Sequence, residues 1–259
     1  MISGTLAAAL TPLRDGGTAL DEAAFEPYLE FLADGGVDGV FALGSTGEGL
    51  LLSTAERKRA AELFRHERLS LAVHCGALTT AEAVELAGHA ASIGADAVAV
   101  VAPPYYPYGP EALLAHFEAV AHACEPVSFF VYEIAARAGY AVPVSVVERL
   151  RERAPNLAGL KVSDTPMSAV APYLLDGLAV FVGSEPLIPE ALAAGAVGAV
   201  SALGAVYPDV VSGLVREPSA DGAARVQELR AALDPFIPAA KRLLAGRGLM
   251  QPDVRAPLQ

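Results

Sequence analysis

The sequence has few cysteines and few basic side chains. Cys75 and Cys124 are the only cysteines in 259 residues, so no disulfide framework is indicated and a cytoplasmic protein is the simplest expectation. Eighteen lysines and arginines stand against thirty acidic residues, which gives a formal net charge of −12. A nucleic-acid partner is therefore not expected, because proteins of that class present basic patches to phosphates.

The sequence also lacks the patterns of a membrane segment and of a cofactor or metal site. Its opening run, MISGTLAAALTPLRDGG, is too short in apolar residues to span a bilayer and has no basic start typical of a signal peptide. No Walker-type loop or dinucleotide fingerprint is present, and the five histidines and two cysteines show no metal-ligand spacing. We therefore expect no membrane association, no metal and no cofactor.

Short apolar runs alternate with amphipathic stretches along the whole chain. Most of the apolar runs lack polar residues, as expected of parallel strands covered on both faces. The eight predicted strands cover 5–10, 39–43, 70–75, 96–102, 127–132, 158–162, 178–183 and 198–203. Predicted helices cover 21–36, 53–67, 79–94 and 109–124, and Ser53 with Glu56 forms a capping box at the start of the second.

Eight strand-and-helix units at this spacing predict an α/β fold, a closed (β/α)8 TIM barrel. A doubly wound open sheet is the alternative. No linker divides the chain. Residues 1–205 are the expected barrel core, and 206–259 the last barrel helix with a short C-terminal helical appendage of the same domain.

Lys161 is one of only three lysines, against fifteen arginines, and it ends the sixth predicted strand. Barrels carry their catalytic groups where strands end. Burial disfavours a charged ammonium, and the neutral amine attacks a carbonyl to form a Schiff base. A structural ion pair with Asp164 or Glu185 is the alternative that position alone favours. Lys58 and Lys241 lie beside arginines on charged helical stretches and are expected to be ordinary.

The segment GSTGEG (44–49) follows the second predicted strand. Its glycines allow a tight turn, its amides can hold a carboxylate, and the hydroxyl groups of Ser45 and Thr46 can relay a proton. A plain strand-to-helix turn is the alternative.

Tyrosines and one arginine follow other predicted strands. Tyr132 ends the fifth, where a phenol can transfer protons, and Tyr106 follows the fourth, where loop packing or a subunit interface explains a tyrosine equally well. Arg137 suits a carboxylate because its planar fork binds both oxygens, although a surface arginine is the simpler interpretation of a lone loop residue.

Taken in order, these segments resemble the dihydrodipicolinate synthase and N-acetylneuraminate lyase family of pyruvate-dependent Schiff-base aldolases. The resemblance covers nearly the whole chain, through LAAALTPLRDGGTALD, GVDGVFALGSTGEGLLLSTAER, GADAVAVVAPPYY, FFVYEIAARAGY, LAGLKVSD and GAVGAVSALG. It implies pyruvate or another 2-oxo acid plus an aldehyde as substrates, and a homodimer or homotetramer.

The resemblance also implies residue roles. Lys161 is the Schiff-base lysine and Tyr132 moves protons to and from the bound substrate. Ser45 and Tyr106 complete the proton relay, and the equivalent of Tyr106 usually reaches across a tight dimer interface. Thr46, with Ser45, holds the pyruvate carboxylate. The remaining substrate-binding positions are Val200 beside the Schiff base, Gly183 and Ser184 after the seventh strand, and Arg137 for the carboxylate of the second substrate.

Several positions depart from the synthase pattern. Serine stands at 45 in place of threonine, Glu133 and Ala135 replace asparagine and proline, VSD follows Lys161 in place of EAT, and the C-terminal region is shorter. The expected function is a class I lyase or synthase closest to dihydrodipicolinate synthase. The alternatives are an aldolase for 2-keto-3-deoxy sugar acids or sialic acid, with Ser163, Asp164 and Ser184 facing a polyhydroxylated aldehyde, and a barrel that has lost catalysis.

Overall fold

Eight parallel strands close into a barrel in this computed structural model, which describes residues 2–258. The strands are Gly4–Ala8, Gly39–Ala42, Ser70–His74, Ala97–Val101, Ser128–Glu133, Leu157–Val162, Ala179–Val182 and Gly198–Ser201. Each strand pairs with the next along the chain, and the first pairs with the last in the register Gly4 to Gly198. The predicted TIM barrel is confirmed and the open sheet is wrong. Each strand overlaps its predicted run.

Helices alternate with the strands and surround the barrel. They are Phe25–Asp34, Thr54–Leu63, Thr80–Ser92, Pro110–Ala123, Val144–Arg153, Met167–Val170, Ile188–Ala193 and Pro208–Arg216, with a short additional helix at Ala135–Ala138. Single 3₁₀ turns cover Glu22–Ala24, Gly49–Leu51, Ala171–Tyr173, Glu185–Leu187 and Leu203–Ala205. A small antiparallel pair, Leu13–Arg14 with Ala19–Leu20, follows the first strand. No helix among residues 2–258 has the length and hydropathy that a bilayer crossing requires.

Local sequence signals explain where these helices begin and which face they bury. The Ser53 side chain accepts from the Glu56 N–H, and the Glu56 carboxylate accepts from the Ser53 N–H at 2.9 Å, so the predicted capping box is present. The first helix buries the predicted apolar face, Phe25, Leu29 and Leu32. These contacts fix the helices against the outer surface of the barrel.

Small and aromatic side chains fill the interior of the barrel. Alanines on several strands leave space that the large rings of other strands occupy. The buried interior cluster includes Ala8, Ala72, Ala97, Ala99, Phe41, Phe130, Tyr132, Phe181 and Val200. The Lys161 side chain extends into this apolar interior, so its amine lies near the centre of the fold.

Two further helices, Ala220–Ala231 and Phe236–Gly246, follow the last barrel helix. Lys241 lies on the second of them, and the expectation that it is ordinary is wrong. Its side chain and that of Glu48 are both 0% exposed, and Lys241 Nζ lies 2.5 Å from Glu48 Oε1. Lys241 also donates to the Asp253 carbonyl at 2.7 Å, and the Arg255 N–H donates to Glu48 Oε2 at 2.6 Å. The chain after the last helix is thereby fixed to the GSTGEG loop.

Candidate active site

A cavity of about 220 Å³ lies at the carboxyl ends of the strands. Seven of the nine predicted site residues line it together, although they come from five different strand ends or loops. They are Ser45, Thr46, Tyr132, Arg137, Lys161, Gly183 and Val200. A TIM barrel brings the residues at the carboxyl ends of its strands together at one face. The cavity lined by these residues is therefore the candidate active site.

Lys161 is 5% exposed and lies between two aromatic rings. Parallel pairing sets it in register with Tyr132 on the neighbouring strand, and its Nζ lies 3.9 Å from the Tyr132 ring centroid and 4.2 Å from that of Phe41. Among residues 2–258 no carboxylate pairs with Lys161. The two carboxylates considered from sequence bond elsewhere, Asp164 to the Ala135 N–H and Glu185 to the Ser201 hydroxyl. The ion-pair alternative is therefore wrong, and the amine faces the cavity.

Tyr132 is 3% exposed, and its hydroxyl group shares the cavity with Lys161. Burial opposes ionisation of the phenol. Even so, the charge of Lys161 and polar interactions with Ser45, Lys161 and Ser163 hold the pKa of Tyr132 below its ordinary value. A phenol with a lowered pKa beside an amine can exchange protons with groups bound to that amine.

The GSTGEG loop is held in one tight conformation. Leu43, just before the loop, and Glu48, within it, have left-handed backbone, with φ of 62° and 58°, and a Cβ at Gly49 would lie 1.8 Å from the Leu43 carbonyl oxygen. The Thr11 hydroxyl donates to the Gly47 carbonyl at 2.6 Å. Within the described chain, the backbone N–H groups of Ser45 and Thr46 donate no hydrogen bond, so both are available to an anion in the cavity.

Ser163 and Gly183 pack against each other across the sixth and seventh strand ends. A Cβ at Gly183 would lie 1.9 Å from the Ser163 hydroxyl oxygen, so only glycine permits this approach. Ser163 lines the cavity and interacts with Tyr132. Sequence reasoning considered Ser163 only for a sugar-type acceptor, and the signal that supports a wider role is its position two residues after Lys161.

Two arginines face the cavity in a protein of negative net charge. Arg137 lies on the short helix Ala135–Ala138, and Arg230 reaches the same cavity from the helix Ala220–Ala231. The Arg230 guanidinium stacks 4.0 Å over the Phe236 ring. Arg230 was missed from sequence because it follows no strand. The pair makes the cavity locally attractive to an anion.

Tyr106 and Ser184 are the two predicted site residues that do not line the cavity. Tyr106 is 61% exposed, and its ring packs edge-on against Tyr105 with centroids 4.8 Å apart. Ser184 is half-buried beside Gly183. The roles given to both by resemblance stay predictions.

An adjoining cavity of about 270 Å³ shares Ser45, Ile134, Arg137 and Ile237 with the first. His74 borders it, with Nδ1 3.1 Å from the Leu43 carbonyl oxygen, which only accepts, so Nδ1 carries the proton. Burial, with the charges of Arg57 and Lys161, lowers the pKa of His74 to about 3. His74 is therefore a neutral support for the strained turn at Leu43.

Comparison with known proteins gives one consistent family. The model of the Dihydrodipicolinate synthetase family matches residues 1–248. An uncharacterized DapA-like lyase of Halobacterium salinarum is 35% identical over 260 residues, covering 95% of this chain and 84% of that protein. The N-acetylneuraminate lyase of Gallus gallus is 34% identical over 210 residues, covering 77% of this chain and 68% of that one.

Solved structures agree with these relatives. The 4-hydroxy-tetrahydrodipicolinate synthase of Methylacidiphilum fumariolicum superposes with a TM-score of 0.87 at 30% identity, covering 100% of this chain and 90% of that one. A prophage protein of the dihydrodipicolinic acid synthase family from Escherichia coli K12, solved in complex with pyruvate, gives a TM-score of 0.90 at 25% identity, with 100% and 93% coverage.

Proposed function

The chain belongs to the dihydrodipicolinate synthetase family, whose relatives are named as lyases and synthases, and from that premise we propose that Lys161 forms an imine with pyruvate or a related 2-oxo acid. The observation that carries the proposal is the Lys161 amine, buried without a carboxylate partner among the described residues and 3.9 Å from the Tyr132 ring. Such an amine is a nucleophile for a ketone.

In the proposed reaction, the amine attacks C2 of pyruvate and the carbonyl oxygen leaves as water after it takes up protons. The N–H groups of Ser45 and Thr46 hold the pyruvate carboxylate. Tyr132 supplies and removes these protons, and loss of a proton from the pyruvate methyl group then gives an enamine. The enamine carbon adds to an aldehyde, and water releases the product from Lys161. The reverse sequence cleaves the same bond.

The proposed second substrate is a short aldehyde that carries a carboxylate, such as aspartate semialdehyde. Arg137 and Arg230 support this choice because both face the cavity. A polyhydroxylated aldehyde of the sialic acid type is less well supported. Of the three side chains considered for it, Ser163 lines the cavity, Asp164 is bound to the Ala135 N–H, and Ser184 lies outside.

The proposal also includes a homodimer or homotetramer in which Tyr106 completes the proton relay of a neighbouring copy. The exposure of its ring supports this arrangement. A barrel without catalysis is not supported, because the amine, the phenol and the anion-binding loop all face one cavity.

Substituting Tyr132 with phenylalanine is expected to lower kcat by about 10²–10⁴-fold, the usual contribution of one general acid or base. Imine formation with pyruvate should persist at a reduced rate, because Lys161 remains. Steady-state assays with pyruvate and aspartate semialdehyde measure the first effect, and borohydride trapping measures the second.

The matched control for that substitution is Tyr28→Phe. Tyr28 is a fully buried tyrosine whose hydroxyl donates to the Ala205 carbonyl away from the cavity. This variant should lose stability and keep its turnover rate. Equal kcat in Tyr132→Phe and Tyr28→Phe would rule out a proton-transfer role for Tyr132.

Substituting Arg137 with alanine is expected to raise KM for aspartate semialdehyde by about 10- to 100-fold, the value of one charge-assisted hydrogen-bond pair. KM for an uncharged acceptor such as propionaldehyde should stay unchanged. Arg242→Ala, at an exposed arginine of the last helix, is the control. Failure of the unsubstituted protein to condense pyruvate with aspartate semialdehyde would reject the synthase assignment and leave imine formation to be judged separately.

A further inference from the structure

Two acidic side chains lie in contact beside the candidate active site. Glu133 ends the fifth strand and is 1% exposed, and Asp164 follows the sixth strand three residues after Lys161. Asp164 lies close enough to Glu133 to raise the pKa of its carboxyl group. Neither side chain forms an ion pair with a lysine, arginine or histidine of the described chain. The pair has no part in the reaction proposed above.

The two carboxyl groups hold the two ends of the segment that carries Arg137. Asp164 Oδ1 accepts from the Ala135 N–H at 3.0 Å, where the short helix begins. Glu133 Oε2 accepts from the Val142 N–H at 2.9 Å, where the segment ends. The backbone between these two anchors presents Arg137 to the cavity. The position of the guanidinium therefore depends on both bonds.

The contact between the two acids requires a proton. Two ionised carboxylates in contact repel each other when no cation compensates. Glu133 Oε1 is buried and accepts no hydrogen bond from the described residues, so it is the oxygen that a proton would occupy, donating to Asp164. Burial, and after it the neighbouring Asp164, raise the pKa of Glu133 to about 8, while the Val142 and Ala135 N–H groups act in the opposite direction.

The other titratable groups that face the pair are phenols. Tyr140 lies in the Arg137 segment and donates to the Pro103 carbonyl at 2.8 Å, and Tyr173, on the turn Ala171–Tyr173, donates to the Val142 carbonyl at 2.7 Å. Burial raises the pKa of Tyr140 to about 12 and also raises that of Tyr173. Both phenols stay neutral through the range in which the pair loses its proton. Neither therefore supplies a positive charge to offset the new negative charge.

We propose that Glu133 and Asp164, joined by one shared proton, position Arg137 for the carboxylate of the second substrate, and that loss of this proton releases the segment. The kinetic part of this inference rests on the proposed function, and the structural part does not. Glu133 is thus a positioning residue that makes acceptor binding weaken in alkaline solution.

Glu133→Gln is the decisive variant. The glutamine oxygen still accepts from the Val142 N–H, and its amide donates to Asp164 at every pH. In the unsubstituted protein, KM for aspartate semialdehyde should rise above about pH 8, by up to tenfold per pH unit for one linked proton. In Glu133→Gln the KM profile should be flat over the same range. The kcat profiles of the two proteins should agree, because Lys161 and Tyr132 are present in both.

Hydrogen exchange tests the structural part without any substrate. Protection factors of the Ala135 and Val142 amides should fall between pH 7 and pH 9.5 in the unsubstituted protein and stay constant in Glu133→Gln. Glu148→Gln, at an exposed glutamate of the following helix, is the control and should behave as the unsubstituted protein. If Glu133→Gln does not fold, Asp164→Asn serves instead, since its oxygen still accepts from Ala135 and its amide donates to Glu133.

Equal pH dependence of protection in the unsubstituted protein and in Glu133→Gln would overturn the inference. A protection difference without imine formation would leave the positioning role intact and reject the proposed function. Imine formation without a protection difference would reject the positioning role and leave the proposed function intact.

Discussion

Replacing Lys241 with methionine is expected to destabilise the protein by about 3–5 kcal/mol, the usual cost of removing one partner from a buried ion pair. The side chains of Lys241 and Glu48 are both 0% exposed, so the substitution leaves a buried carboxylate whose one remaining partner among residues 2–258 is the Arg255 N–H. Glu48 also has left-handed backbone within the GSTGEG loop, where the ion pair holds it. The unfolding free energy from urea titration at pH 7 measures the loss.

The control for this prediction is the double variant Lys241→Met with Glu48→Gln. It removes both charges, so no ionised group is left uncompensated, and much of the lost stability should return. A cost below about 1 kcal/mol for Lys241→Met alone, which is the range of exposed pairs, would contradict the buried arrangement.

Replacing Lys161 with methionine is expected to lower turnover by at least about 10³-fold and to leave the free energy of unfolding unchanged or raised. Without the amine no imine forms, and a covalent route has no substitute nucleophile. Lys161 has no carboxylate partner within the described residues, so methionine leaves no charge unpaired. Its thioether also suits the space between the Phe41 and Tyr132 rings. Turnover and the urea midpoint, measured on one preparation, test both parts.

Lys58→Met is the control for Lys161→Met. Lys58 pairs with Glu85 at the surface with 30% of its side chain exposed, so its loss should change stability by less than about 1 kcal/mol and leave turnover intact. A marked loss of stability in Lys161→Met would show that this lysine has a structural role after all.

The raised pKa of Glu133 predicts that folding stability depends differently on pH in the unsubstituted protein and in Glu133→Gln. Folded Glu133 keeps its proton to about pH 8, whereas the unfolded carboxyl loses it near 4.5, so folding takes up a proton between these values. The stability that this group contributes is therefore complete below about pH 4.5 and falls as pH rises to about 8. Relative to the unsubstituted protein, Glu133→Gln should gain stability over that interval.

The barrel was predictable because each signal for it is local. Strands such as Ala97–Val101 are apolar on both faces, and the Ser53 capping box marks a helix start within four residues. Placing Lys161 and Tyr132 at neighbouring strand ends then follows from the topology of the fold, which aligns the carboxyl ends of all eight strands.

What the sequence does not reveal are contacts between distant segments. Lys241 stands beside Arg242 in a helical stretch of ordinary composition, and nothing local indicates that Glu48 lies opposite it. Arg230 reaches the cavity from a helix that follows the barrel, outside the rule that directs attention to strand ends. The pairing of Glu133 with Asp164 likewise depends on how two loops pack.

Reductive trapping tests the central claim most directly. The protein is incubated with pyruvate and sodium borohydride, digested, and analysed by mass spectrometry, with Lys161→Met treated in parallel. Imine formation by Lys161 predicts one reduced pyruvate adduct on the peptide that contains Lys161, and none on the variant. No adduct on the unsubstituted protein, or an adduct on Lys58 or Lys241 instead, would contradict it.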